Sequence, residues 1–121
     1  MARELRPSIY VSKLALNLDD IMSQVCLINR LELFLMDFVA VLEANGCRLI
    51  GHIKGTLDMD EKGLLFFNIT SFNHKPSIRG EVKEPAAHAK LSINIIIYEL
   101  SEKVIKGLFQ EKLSRHFTVN K

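Results

Sequence analysis

The sequence predicts an α+β two-layer sandwich with two helices on one face of an antiparallel sheet. Three observations carry this expectation. Apolar residues recur at three- and four-residue spacing from Ile21 to Leu42, strand-like alternation occupies residues 47–99, and a second helical pattern follows Ser101. With 121 residues, 48% of them apolar, and only six Gly and three Pro, the chain suits one domain with its own core. It excludes a disordered or collagen-like protein. The domain divides into an arm or strand over 1–16, a long helix over 18–44, a β-meander over 47–99 and a C-terminal helix over 101–115.

Residues 8–16 alternate loosely and suit a strand or an extended arm. Asn17 then stands where an N-cap belongs, with Asp19 and Asp20 in a first turn where acidic groups meet the positive end of the helix dipole. Ile21, Val25, Ile28, Leu31, Leu35, Phe38 and Leu42 form the apolar stripe, and Asn45-Gly46 supplies the stop. A helix over 18–44 would be ~40 Å long, as long as the whole domain. Leu33, Phe34, Met36, Val39 and Val41 make its second half apolar on most sides. Such a helix needs cover on more than one side, from the arm or from a second chain.

Four strands are expected next, as an antiparallel meander. Cys47–Asp58 and Gly63–Phe72 flank the turn 59–62, Ser77–Lys83 is short and charged as edge strands often are, and Lys90–Glu99 carries the strongest strand pattern. Ser101 then caps a helix with Glu102 in its first turn and a Leu100–Ile105 staple, leaving Phe117–Lys121 as a frayed tail.

Composition narrows the functional classes. No secretion signal opens the chain, and no apolar run reaches the ~20 residues of a membrane span. Cys26 and Cys47 show no CxxC spacing and no His at metal-ligand distance and read as two reduced, mostly buried thiols, so the expected location is cytoplasmic. Residues 1–61 hold six Lys/Arg against nine Asp/Glu, and residues 62–121 hold ten against five. The basic residues are interleaved with Glu81, Glu84, Glu102 and Glu111, without a dense patch, which disfavours nucleic-acid binding. His74 and His88 lack metal-ligand spacing, the acidic turn at Asp58, Asp60 and Glu61 lacks the pattern of a calcium loop, and no motif implies a cofactor.

Alternation places Leu49, Ile53, Leu57, Leu65, Phe67, Ile69, Ile78, Val82, Leu91, Ile93, Ile95 and Ile97 against the helices. The opposite face is mixed: Ile50, Phe66, Phe72, Ile96 and Tyr98 lie among His52, Lys54, Asn68 and Asn94. The preferred expectation is a non-catalytic, self-associating protein, a homodimer with a regulatory or adaptor-like role. Its interface would draw on Ile50, Phe66, Phe72, Ile96 and Tyr98 of the sheet and on Phe34, Met36 and Val41 of the helix. The alternative is a small-molecule or anion site, or a small enzyme, in which His52 acts as acid or base, Lys54 binds an anion, and Asn68 and Asn94 orient the ligand. Only Glu81 could serve as an orienting carboxylate. Gly51 and Gly55, on the core side, would admit the helix closely or mark a bulge.

Overall fold

The computed structural model describes residues 6–120, with Asp19 and Asp20 described by their backbone alone. Residues 1–5 of the expected arm, and Lys121, lie outside the described residues. The element order is β1 (Ser8–Met22), α1 (Gln24–Ala44), β2 (Ile50–Asp58), a 3-10 turn (Asp60–Lys62), β3 (Gly63–Ile69), β4 (Ser77–Val82), β5 (Ala86–Ile97), α2 (Glu102–His116) and β6 (Thr118–Val119). The strands form one six-stranded sheet in the order β4-β3-β2-β5-β1-β6, antiparallel throughout. One face of this sheet and both helices share a single core. The α+β architecture is as the sequence predicts.

The long helix starts later than expected. Residues 18–22 continue β1, and the N-cap is Ser23, whose hydroxyl accepts from the Cys26 N–H at 3.5 Å, rather than Asn17. Leu16, Leu18 and Met22 are buried, and the extended chain rejoins β5 at Met22 opposite Ala86 after an irregularity past Asn17, so burial in the core outcompetes the local capping signal. With 21 residues the helix is ~32 Å long, shorter than the expected ~40 Å. Its C-terminus is as predicted: the Asn45 amide donates to the Val41 carbonyl at 2.8 Å, and Gly46 takes φ +99.

The meander is replaced by a crossover. β5 pairs with β2 and β1, not with β4, which stands at the sheet edge beside β3. Only residues 83–85 connect β4 to β5. Four Cα–Cα steps of at most ~3.8 Å reach ~15 Å, just enough for three strand spacings of ~4.8 Å, so the link must run nearly fully stretched. It passes the end of the β2–β3 hairpin, where Lys83 and Glu84 both donate backbone N–H to the Lys62 carbonyl, at 2.7 and 3.3 Å. The expected frayed tail is also ordered: Phe117 is buried, and Thr118 and Val119 pair with Asn17 and Leu16.

One bulge resets the face of β2. Register with β5 shifts between Ile50 and His52, with Gly51 as the extra residue. Ile50 therefore joins Ile53 and Leu57 in the core, whereas Leu49 is 47% exposed, the reverse of the simple alternation. The other strand faces follow the prediction, with Leu65, Phe67, Ile69, Leu91, Ile93, Ile95 and Ile97 all buried.

The two helices meet through aromatic rings. Phe34 stacks on Phe38 with centroids 6.1 Å apart and meets Phe109 and Phe117 edge-on. Beside this cluster, His116 Nε2 donates to Asp37 Oδ2 at 3.0 Å, and Lys112 Nζ lies 3.6 Å from Oδ1. The hydrogen bond from His116, with the Lys112 charge, holds the Asp37 carboxyl below its ordinary pKa. A depressed carboxylate stabilises the fold above the unfolded-state pKa of ~3.9 and loses that contribution as pH falls through the folded value. The Asp37 side chain is 36% exposed, so the contribution is below ~1 kcal/mol. Thermal melts should show the wild type above Asp37→Asn at pH 5, with the difference closing as the pH falls well below 4. A difference unchanged down to pH 2.5 would remove the electrostatic account.

Candidate functional site

The face of the sheet away from the helices is concave and open, a trough of about 630 Å³. Strand register orders its side chains into rows. Ser77, Asn68, Lys54, Asn94 and Val11 form one row from β4 to β1, and Arg79, Phe66, Thr56, Ser92 and Lys13 form the next. These rows line the trough. A third row, Glu81, Leu64, Asp58, Lys90 and Ala15, lies beyond it.

Lys54 sits between two amides, with Asn68 and Asn94 as its cross-strand neighbours. Directly opposed side chains have Cβ atoms ~5 Å apart, so all three can reach one ligand group. Lys13 and Arg79 stand two strands to either side of Lys54, roughly 10–12 Å away. The apolar part consists of Phe66, 51% exposed, and Val11, 58% exposed. Among the described residues, no Asp or Glu lines the trough. The Asn94 Oδ1 atom is buried and accepts no hydrogen bond, a condition that normally costs ~1–3 kcal/mol unless a partner arrives.

The sequence-predicted site residues are partly brought together. Lys54, Asn68 and Asn94 share one row. His52 pairs with Ile96 in the row above, beside the trough rather than in its lining, and its Nε2 is also buried without a partner. Glu81 cannot orient it. The two residues lie three rows apart along the strands, ~20 Å, so they form no dyad. Ser71 Oγ and His74 Nδ1 hydrogen-bond to each other at 2.7 Å at the β3–β4 turn. Among the described residues, no group of three or more His, Cys, Asp or Glu is placed to hold a metal ion, and no helix is long and apolar enough to cross a membrane.

The expected interface set is dispersed. Phe34 and Ile50 belong to the core of the single chain. Phe72 and Met36 line a smaller groove of about 290 Å³ between α1 and the β3–β4 turn, on the helix side of the sheet. Val41 is half-buried against the core, Ile96 and Tyr98 are half-buried, and only Phe66 of the sheet residues is exposed within the trough. A contiguous patch of Ile50, Phe66, Phe72, Ile96 and Tyr98 is therefore not formed.

Sequence reasoning missed Lys13, Val11, Thr56 and the role of Arg79. An arm has no face, so the outward residues of β1 were not aligned with those of β5. The signal was present in the alternation of Ile9, Val11 and Lys13 with Tyr10, Ser12 and Leu14.

No protein-family model matches the chain, and no curated protein sequence matches it. Two solved structures are similar: the crystal structure of Zn(II)-bound YjiA GTPase from E. coli and that of a triple mutant of the same GTPase. Each aligns with a TM-score of 0.41 and 17% identity, covering 84% of this chain and 29% of the other. The chain thus spans less than a third of the length of those proteins. A likeness this loose leaves the functional reading on the residues of the trough.

Proposed function

We propose that the protein is a non-catalytic binding module whose outer sheet face takes an anionic ligand with an apolar portion. One observation carries this reading: Lys13, Lys54 and Arg79, from three different strands, share one concave surface whose lining, among the described residues, contains no carboxylate. An anion over Lys54 gains charge-assisted hydrogen bonds from its ammonium and from the flanking amides of Asn68 and Asn94, while Phe66 and Val11 cover the apolar part. The unpartnered Asn94 oxygen favours a ligand that also carries a hydroxyl or N–H donor near its charge.

A homodimer built by stacking this face on itself sets a cationic surface against a cationic surface, so charge favours an anion over a second copy here. A regulatory or adaptor-like role fits this reading better than catalysis, since His52 and Glu81 stand ~20 Å apart along the strands. Two free thiols, one of them on exposed Cys26, fit a reducing, cytoplasmic setting.

Titration with the anionic aromatic probe anilinonaphthalene sulfonate tests the reading. The folded chain should bind one probe saturably, with competition by phosphate-bearing compounds. Lys54→Ala combined with Arg79→Ala should weaken binding by at least about tenfold, or ~1.4 kcal/mol, with an unchanged melting temperature. Equal affinity in a double variant that melts normally would overturn it.

A further inference from the structure

The outer edge of β1 is a long, open strand edge. β6 pairs only with Leu16 and Asn17, and the Asn120 N–H donates to the Ala15 carbonyl at 2.8 Å. Ala15 therefore directs its backbone groups away from β5. By the alternation of an antiparallel ladder, Ile9, Val11 and Lys13 do the same. Among the described residues, no strand pairs with this stretch. Its side chains are apolar for an edge, with Ile9 49% and Val11 58% exposed, the combination that templates pairing with another chain.

We propose that β1 pairs antiparallel with β1 of a second copy about a two-fold axis at Val11, joining two sheets into one. This proposal is independent of the binding reading above. The register follows from the ends of the free edge. With Val11 opposite Val11 and Ile9 opposite Lys13 of the second copy, every free N–H and C=O of Ile9, Val11 and Lys13 finds a partner. The next position on the same side sets Pro7, which has no N–H, opposite Ala15, whose carbonyl already accepts from Asn120. The pairing therefore stops where its donors and acceptors run out.

A register of this parity keeps outward residues beside outward residues and both helix layers on the same face. Val11 packs on Val11, and Ile9 packs on the aliphatic stem of Lys13. The two Lys13 residues lie four positions apart along the strands, ~13 Å, beyond the screening length of ~8 Å at physiological salt. The second copy then extends each trough past β1 by its own Ile9 and Lys13.

Light scattering on a size-exclusion column should give twice 13.8 kDa for the full chain at micromolar concentration. Val11→Lys, which sets two ammonium groups against each other on the axis, should give a folded monomer. Val11→Pro removes an outward N–H while leaving the β1–β5 hydrogen bonds in place and should do the same. As a positive test, Val11→Cys in a Cys26→Ser background should oxidise to a covalent dimer, since paired Cα atoms ~5.5 Å apart admit a disulfide. Leu49→Cys in that background should not. A wild-type monomer overturns the proposal. So does a dimer that survives both Val11 substitutions, or a Val11→Cys chain that cross-links no better than Leu49→Cys.

Discussion

Replacing Phe34 by alanine is expected to lower stability by about 3–5 kcal/mol, a large share of the ~5–15 kcal/mol that holds a domain of this size. The ring is fully buried and touches Phe38, Phe109, His116 and Phe117, so truncation removes its apolar area and empties the joint between α1 and α2. The helices cannot close the gap, because Phe38 and Phe109 already meet edge-on beside it, 5.9 Å between centroids. Urea unfolding of Phe34→Ala should show a much lower midpoint with little change in slope. The reading of Phe34 as an interface residue predicts the opposite: near-normal monomer stability and altered self-association. A midpoint shift worth under about 1 kcal/mol would restore that reading.

Gly55→Ala is expected to be comparably damaging for a different reason. A Cβ at residue 55 would lie 1.9 Å from the Ser92 carbonyl oxygen and 2.8 Å from Phe67 Cζ. The first obstacle is backbone of the central strand β5 and cannot turn aside, so the β2–β5 ladder must open. A cost of about 4 kcal/mol or more follows, in the range reserved for severe strain. Gly107→Ala is the internal control. A Cβ there meets nothing within 4 Å, and replacing a helical glycine by alanine should gain ~0.5–1 kcal/mol. Melting temperatures should therefore move in opposite directions for the two changes. A tolerated Gly55→Ala would mean that the strands pair differently around Ser92.

Gly55 also shows how sequence and structure divide the explanation. Alternation placed it on the core side, and close approach was the expected reason for a glycine. The approaching groups are the β5 backbone and the Phe67 ring, not the helix. Gly51 marks the bulge that the sequence allowed, and that bulge carries Ile50 inward and Leu49 outward. A one-residue insertion changes no composition and little periodicity, which is why simple alternation reversed these two residues. Residues 18–22 are a similar case. Asn17, Asp19 and Asp20 make a sound local helix start, and only tertiary contacts, the burial of Leu18 and Met22 and the return to β5 at Met22, favour the extended form.

The candidate site was legible in part. Lys54, Asn68 and Asn94 were placed on one face because each stands in a well-patterned strand. Their grouping with Lys13 and Arg79 depends on which strands are neighbours: the connection between the expected strands Ser77–Lys83 and Lys90–Glu99 reads as a meander turn, whereas the three-residue β4–β5 link spans three strand spacings. Local periodicity does not encode lateral order.

The amino-acid sequence by itself determined the class of fold, the stop of the first helix at Asn45-Gly46, the start of the second at Ser101 and most of the buried face of each strand. These features follow from spacing and capping within a few residues. Only the tertiary structure decided the strand order, the length of β1, the inward turn of Phe34 and the free edge at Ile9–Lys13. Each of those rests on pairing between segments far apart in the chain, where the free energy of burying a whole strand or ring exceeds the fraction of a kilocalorie carried by a local preference.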